Sequence, residues 1–539
     1  MIRAEVRRKT ENAGIGRTRR KAEERANSRP ADAGRETGKA PAGSMTLQEV
    51  LSGVRLRAAL PPEVSRITVA GLEYDSRRVA AGELFFAFQG QNADGRLFAR
   101  EAVERGAPAV VSELPKPEDF TGVWIEVEHG REAMALASRN FFGAPDERIV
   151  LTGITGTNGK TTTSYLLDAV LRAAGKITAL VGTIEYQVAG EVRRAVNTTP
   201  DSLDIVRILS ELERKGGTHA TMEVSSHALA LGRVYGVRFH TAVLTNLTRD
   251  HLDFHRTMEA YFGAKLTLFE GCGAPPPRWA VLNEDDEYGR SIAAAPGTER
   301  ITYAIDRDAM VRARNIEAGL GGLTFAVETG NRRVTVRSPL VGRINVYNIL
   351  AAFGAGLAHG LDAEAIAAGI EQCRAVPGRF ERVDEGQPFL VVVDYAHTDD
   401  ALRNIIRAGR ELSPRRVITL FGCGGDRDRA KRPLMGAAAA ELSDFVVLTS
   451  DNPRSEDPLA IMNDAMVGLR RYDTPHVAEP DRERAIRRAI EEAVAGDLVL
   501  IAGKGHETYQ VLRDRTIPFD DREVVRRILR GFGYRREGA

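Results

Sequence analysis

The chain has 539 residues, enough for about three domains at roughly 100–200 residues each. Lysine and arginine number 75 against 74 acidic residues, and a formal net charge of +1 argues against a dedicated nucleic-acid binder. No apolar run reaches the roughly 18 residues of a membrane span, and the three scattered cysteines, Cys272, Cys373 and Cys423, make neither a disulfide framework nor a paired metal motif, as expected of reduced thiols in the cytoplasm.

Residues 1–44 carry 12 basic and 6 acidic residues and almost no large apolar ones. Such a segment cannot bury enough surface to order itself, and it lacks the apolar stretch of a secretory signal. It is expected to be a disordered basic extension, with Met45 opening the folded pattern. Residues 45–145 read as a small α/β domain. Glu83–Phe88 and Ala109–Val111 are strand-like, and Leu97–Arg105 is helix-like. Two polar turns interrupt it, one holding Tyr74 and Ser76 and the other Gln91, Asn92 and Ala93.

Residues 146–375 read as a nucleotide domain. The apolar run Ile149–Leu151 leads into Gly156, Thr157, Asn158, Gly159, Lys160, Thr161 and Thr162, and a helical pattern follows to Gly175. Strand, glycine loop and helix in that order form a phosphate cradle. Backbone N–H groups and the helix N-terminus supply fixed positive potential, Lys160 adds a mobile charge, and Thr161 offers a hydroxyl to Mg²⁺. Gly153 lies one residue too far from Gly159 for the standard spacing, so Gly156 serves as the first working glycine. Further on, the turn with Thr198 and Thr199 precedes a helix. The strand-like run Ala220–Val224 carries Glu223 and ends at Ser225. A second run, Ala242–Asn246, leads to His251. In an open parallel sheet, ligands sit beyond the carboxyl ends of the strands. Glu223 and His251 are therefore candidate Mg²⁺ ligands, His251 the less expected because magnesium prefers oxygen. By spacing alone, Lys265 on the helical stretch Met258–Phe269 is a solvated lysine. Residues 310–340 alternate as short antiparallel strands do, and an alanine-rich helix starts near Gly342.

Residues 376–539 read as a second doubly wound sheet. Four apolar runs end in polar or glycine-rich tips: at Asp394, at Gly422–Arg427, at Asp451, Asn452, Pro453 and Arg454, and at Gly503–Glu507. Two such sheet edges facing each other would enclose a cleft of the kind that holds small molecules.

Taken together, the motifs Gly156–Thr162, Met222–His227, Asn246–Asp253, Asp394–Thr398 and Asp451–Arg454 resemble the Mur ligase family, in order, from about residue 45 to the C-terminus. The resemblance implies three domains: a small N-terminal α/β uridine-nucleotide domain, a central P-loop ATPase-like parallel-sheet domain and a C-terminal Rossmann-like domain. It implies an ATP- and Mg²⁺-dependent ligase that phosphorylates a carboxylate and then couples it to an amine. The pattern is that of members adding meso-diaminopimelate to UDP-N-acetylmuramoyl-L-alanyl-D-glutamate in peptidoglycan precursor synthesis.

By the same resemblance, Lys160, Glu223, His251 and a carbamylated Lys265 form the catalytic centre, with Thr161, Glu223, His251 and Lys265 around the metal. Asn283, Arg379 and Asp394 contact the nucleotide. Tyr74, Ser76 and Gln91–Ala93 match uridine turns, and Thr198, Thr199, Ser225 and Arg233 match positions on the muramoyl peptide. Leu231 stands where many relatives have glutamine. Arg427, Asp451, Asn452, Pro453, Arg454, Gly503 and Glu507 match the amino-acid site. There a guanidinium fork suits the far carboxylate of diaminopimelate and an acid suits its far ammonium.

The expected partners are these small molecules alone, with neither nucleic acid nor membrane, and the chain is expected to act as a monomer. The competing readings are a lysine-adding member, a folylpolyglutamate synthetase-like ligase and a nucleotide-binding regulatory module. Asp451–Arg454 and the first domain argue against the two ligases, and intact Lys160, Glu223, His251 and Lys265 argue against the module.

Overall fold

The computed structural model describes residues 43–89, 94–319 and 321–535. The expected basic extension, but for its last two residues, and the turn Gln91-Asn92-Ala93 lie outside them.

The first unit is a parallel sheet of four strands in chain order: β1 (Gly71–Glu73), β2 (Glu83–Phe86), β3 (Val110–Ser112) and β4 (Trp124–Glu126). Leu72, Leu84, Phe86 and Val111 pack with Ala133, Met134 and Phe141 of α1 (Gly130–Phe142). Two expectations shorten here. The strand stops at Phe86, and the helix expected from Leu97 begins as a 3₁₀ turn, Gly95–Phe98, before an α-helix over Ala99–Glu104. Asp94 accepts the Arg96 N–H and sets that tighter turn.

The second unit is built on a sheet of 11 strands. In chain order its elements are β5 (Val150–Thr155), α2 (Lys160–Ala173), β6 (Thr178–Val181), β7 (Glu185–Val188), β8 (Glu191–Arg194), α3 (Ser202–Arg214), β9 (His219–Glu223), α4 (Ser226–Ala230), β10 (Thr241–Leu244), α5 (Met258–Glu270), β11 (Trp279–Asn283), β12 (Glu299–Ala304), β13 (Val311–Gly319), β14 (Gly322–Thr329), β15 (Arg332–Ser338), α6 (Arg343–Ala358) and α7 (Ala363–Gln372). Across the sheet they run β8-β7-β6-β9-β5-β10-β11-β12-β13-β14-β15. The middle is parallel, and both edges are antiparallel hairpins.

Side chains on a strand alternate between faces, so each central strand feeds two cores. Ile154, Val243 and Val281 pack with α2, α6 and α7, whereas Leu151, Met222, Leu244 and Leu282 pack with α3 and α5. The antiparallel strands expected over 310–340 are present as β13–β15. The hairpin β7–β8 was not expected. Its first strand alternates over Glu185–Val188, but on the second Val192 is exposed and the charged residues give no alternation by which a strand could be read.

The third unit holds β16 (Glu381–Val383), β17 (Leu390–Asp394), α8 (Asp399–Glu411), β18 (Val417–Cys423), α9 (Lys431–Leu442), β19 (Phe445–Ser450), α10 (Pro458–Leu469), β20 (His476–Ala478), α11 (Arg482–Glu492), β21 (Leu498–Ala502) and α12 (Asp521–Gly531). Its sheet order is β16-β17-β21-β18-β19-β20, parallel except for β16. Leu498, Leu500 and Ala502 face α8, α9 and α10, while Val499 and Ile501 face α11 and α12. The sheet is therefore doubly wound.

The units touch through apolar and polar contacts, and Leu203 of α3 is buried in the first unit's core. Arg207 of α3 donates to Leu72 O and pairs with Glu73 of β1, Tyr74 donates to Asp204, and Arg131 pairs with Asp201. Between the second and third units, Lys431 pairs with Asp250, the Arg343 N–H donates to Glu411 at 2.9 Å, and Arg194 of β8 lies over the Tyr509 ring at 5.6 Å.

Candidate active site

The carboxyl ends of β5, β9 and β10 face the carboxyl end of β17 across a cavity of about 300 Å³, within the range of small-molecule sites. Its wall from the second unit includes Thr157–Thr162, Thr198, Glu223, Ser225 and His251. Its wall from the third unit includes Arg379, Asp394, Tyr395 and His397.

The loop geometry follows from its glycines. Gly156 (φ 145°) and Gly159 (φ 88°) hold backbone conformations that L side chains avoid. A Cβ at Gly156 would lie 1.9 Å from Thr245 Oγ1, and one at Gly159 2.3 Å from Asn348 Oδ1. The loop is fastened from beneath: Thr157 N–H donates to Asn246 O at 2.9 Å, Asn158 N–H to Asn246 Oδ1 at 3.0 Å, and Thr245 Oγ1 to Asn158 O at 2.6 Å. It is also fastened from across the cleft, because Asp400 of α8 accepts from Asn158 Nδ2 at 2.8 Å and from Thr248 Oγ1 at 2.9 Å. Lys160 opens α2 and folds back, donating to Gly156 O at 2.9 Å and Thr157 O at 2.8 Å.

Beside it, Thr161 Oγ1 donates to Glu223 Oε2 at 2.9 Å and accepts from Arg379 Nη2 at 3.1 Å. Glu223 is 1% exposed and also takes the Thr183 N–H at 2.8 Å and hydroxyl at 3.0 Å. Lys265 corrects the reading of a solvated lysine, being 1% exposed. The turn after β5 passes over α5 there, so Lys265 Nζ donates to Gly156 O at 2.9 Å, the carbonyl that Lys160 also uses, and lies 4.7 Å from the Tyr261 ring centroid. Burial, then the Lys160 charge, holds the Lys265 amine well below the usual lysine range. His251 sits in the left-handed region (φ 53°) with its ring 4.7 Å from that of His227. Burial keeps its imidazole neutral against the pull of Asp250.

Two expected nucleotide contacts look different in place. Asn283 does not line the cleft: its amide donates to Thr245 O at 2.9 Å and its oxygen accepts the Asp285 N–H at 3.0 Å, bracing the ends of β10 and β11. Asp394 does line it, but its two oxygens take the Phe380 N–H at 2.7 Å and the Ala396 N–H at 2.8 Å, which shapes the turn that carries Arg379.

In the first unit, Ser76 Oγ is turned to Glu101 at 2.8 Å, and Tyr74 stacks on Phe88 with centroids 6.3 Å apart. Thr199 Oγ1 donates to Glu223 O at 2.8 Å and accepts the Ser225 N–H at 3.0 Å, and Arg233 Nη1 donates to Thr199 O at 3.0 Å. The Thr199 and Arg233 side chains thus tie this turn to the backbone at the end of β9 and the start of α4 below the cleft. Leu231 ends α4.

At the far tips of the third sheet, Arg454 is also in the left-handed region (φ 52°) and donates to Gly425 O at 2.8 Å. Burial and the neighbouring Arg427 charge press its guanidinium below the usual arginine range, which marks a place that favours an anion. Asn452 Nδ2 donates to Glu507 Oε2 at 2.8 Å. Asp451 is buried, and the charges of Lys504 and Arg482 outweigh that burial and keep its carboxyl below the usual range. A Cβ at Gly503 would lie 2.9 Å from Asp451 Oδ2.

Three matches to known proteins cover this geometry. The Mur ligase family catalytic domain matches residues 68–142, the Mur ligase middle domain 154–356, and the Mur ligase glutamate ligase domain 378–505. The chain belongs to the Mur ligase family. A Solibacter usitatus protein named UDP-N-acetylmuramoyl-L-alanyl-D-glutamate--2,6-diaminopimelate ligase is 66% identical to this Mur ligase over 91% of its chain and 99% of that protein. A Geobacillus kaustophilus protein of the same name is 48% identical over 86% of the chain and 96% of that protein. A solved structure bearing that name is 32% identical and superposes with a TM-score of 0.64, covering 91% of this chain and all of that one. A MurF ligase from Thermotoga maritima in complex with ADP shares the fold at 18% identity, with a TM-score of 0.59, over 86% of this chain and 97% of its own.

The sequence reading missed four residues that this Mur ligase brings to the cleft or its floor: Thr183, Asp250, Asp400 and Lys431. Asp250 adjoins His251 in a motif already singled out. The others meet the site only through tertiary packing. No described helix is long and apolar enough to cross a membrane.

Proposed function

We propose that this Mur ligase joins the amine of meso-diaminopimelate to the D-glutamate γ-carboxylate of UDP-N-acetylmuramoyl-L-alanyl-D-glutamate, with ATP converted to ADP and phosphate. The observation that carries this reading is the shared cleft. A phosphate loop with Lys160 faces Arg379 from the third unit, and the arginine-rich tips of that unit's sheet supply an anion site.

A γ-carboxylate oxygen attacks the γ-phosphorus of ATP and ADP leaves. The amine then attacks the acyl carbon, loses a proton, and phosphate departs. The first step needs in-line positioning and charge neutralisation rather than covalent help. The loop N–H groups, Lys160 and Arg379 supply both. Thr161, Glu223 and His251, with Lys265 as its carbamate, would hold Mg²⁺, which when bound would neutralise charge on the phosphate oxygens. Hydroxyl and carboxylate oxygens 2.9 Å apart beside a phosphate loop suit that ion. Among the described residues no group of three His, Cys, Asp or Glu could hold a metal, as befits a site completed by a hydroxyl, a modified lysine and phosphate.

Tyr74, Ser76 and the turn Gln91–Ala93 would take the uridine nucleotide. The wall of Thr198, Thr199, Ser225 and Arg233 would take the muramoyl peptide and aim its carboxylate at the loop. Arg454 and Arg427 would clamp the far carboxylate of diaminopimelate, and Glu507 would receive its far ammonium. The division into domains at about 145 and 375, action in the cytoplasm, where ATP and nucleotide sugars are available, and a working monomer complete the reading.

Phosphate release with ATP, Mg²⁺ and the UDP-muramoyl dipeptide tests it, comparing meso-diaminopimelate, L-lysine and no amino acid. Release only with diaminopimelate, with the tripeptide found by mass, is the expected result. Lysine lacks the far carboxylate, and a site built around a polar partner rejects an analogue without it by on the order of 10⁴-fold. Equal release with lysine would overturn the role given to Arg454.

A further inference from the structure

Lys504 was not among the residues expected at the amino-acid site, yet its side chain is fully buried at the centre of it. Its Nζ lies 3.2 Å from Asp451 Oδ1, 3.0 Å from Asn452 Oδ1 and 3.2 Å from Glu507 Oε2. A buried ammonium with three donors and three acceptors around it is satisfied, and it fixes each acceptor in turn.

Asn452 Oδ1 also takes the Val511 N–H at 2.9 Å, while its Nδ2 donates to Glu507 Oε2 at 2.8 Å. The carboxamide thus has two donors on one side and an acceptor on the other, so it cannot flip without losing all three bonds. Glu507 Oε2 is held by two donors, Lys504 and Asn452. Among the described residues, Oε1 takes no hydrogen bond from another side chain. Nearby, Arg482 is neutralised by Asp521 at 2.7 Å. Asp451 and Glu507 share the Lys504 ammonium, and the Arg454 guanidinium acts on both carboxylates.

We propose that Lys504 is a positioning residue for amino-acid selection. It anchors Glu507 Oε2 and Asn452 so that Glu507 Oε1 meets the far ammonium of the incoming amino acid. This rests on the reading of Asp451–Arg454 and Glu507 as the amino-acid site. Lys504 itself touches neither substrate nor nucleotide.

The test compares meso-diaminopimelate with 2-aminopimelate, which keeps both carboxylates and lacks the far amine. Purified full-length wild type and Lys504→Met are measured with saturating ATP and UDP-muramoyl dipeptide. The expected result is a KM for diaminopimelate raised by about tenfold or more in the variant, and a preference for diaminopimelate over 2-aminopimelate reduced by a similar factor. Acceptor-dependent exchange of label between ADP and ATP needs no amino acid and stays within about twofold. Lys504→Gln keeps a donor without the charge. It is the second variant should the methionine form not fold, and it moves both quantities in the same direction.

An unchanged KM and preference, or equal loss of the exchange reaction, would overturn the inference. Wild type that does not turn over diaminopimelate at all would instead overturn the substrate reading on which it rests.

Discussion

Lys160→Met lowers kcat by about 10³-fold or more while leaving the protein folded. The ammonium closes the phosphate loop from above, bonded, among the described residues, only to the backbone carbonyls of Gly156 and Thr157. ATP offers that ammonium better acceptors than two neutral carbonyls, and a loop lysine is the mobile charge that follows the transferring phosphoryl group. Removing one preorganised donor from such a site costs on the order of 10²–10³ in kcat, and here a full charge goes with it. The residual rate comes from the loop N–H groups and the N-terminus of α2, which the substitution leaves in place. Loss of the two Lys160 hydrogen bonds to backbone carbonyls costs the fold about 1–3 kcal/mol. Steady-state phosphate release and calorimetry read the two quantities. A fall of less than tenfold in kcat would show that Lys160 does not face the phosphates.

Lys265→Ala is the second large effect, a loss of about 10²-fold or more in kcat. Two cations cannot comfortably share the Gly156 carbonyl in a dry site, and Lys265 is the one that burial drives toward the neutral amine. A neutral buried amine reacts with CO₂. The resulting carbamate would replace that neutral amine with a negative charge that attracts Lys160. Native mass spectrometry of the wild type is expected to show the added mass of one CO₂, absent from the variant. CO₂-depleted buffer slows the wild type and bicarbonate restores it, while the variant responds to neither. Full activity in Lys265→Ala, or a wild type insensitive to CO₂, would mean that the lysine serves only to support the loop.

The legible parts of the molecule were those in which one short stretch carries both geometry and chemistry. The run from Val150 to Lys160 is strand, glycine turn and helix start, and it folds as such because Gly156 and Gly159 occupy conformations closed to other residues. The four apolar runs of the third unit became β17, β18, β19 and β21 because strands covered on both faces are apolar throughout. Residues whose roles depend on what packs over them were not legible. Lys265 reads as solvated on a helix with little amphipathic pattern, and only the passage of the phosphate loop across α5 buries it. Asp400 and Lys431 each begin an ordinary helix and acquire their contacts, with Asn158 and Asp250, only when the third unit faces the second. Lys504 lies inside a recognised tip, but its burial between Asp451 and Glu507 depends on the ends of β19 and β21 meeting. Asn283 shows the converse, a polar residue at a strand end whose side chain braces its neighbours.

The most direct measurement of the central claim, that this cleft activates a carboxylate by phosphorylation and then couples it to an amine, follows an oxygen atom. UDP-muramoyl dipeptide labelled with ¹⁸O in the D-glutamate γ-carboxylate is turned over with ATP and meso-diaminopimelate, and the released phosphate is analysed by mass. One labelled oxygen in the phosphate, accompanied by tripeptide, is the predicted result. Tripeptide formed with unlabelled phosphate would contradict it.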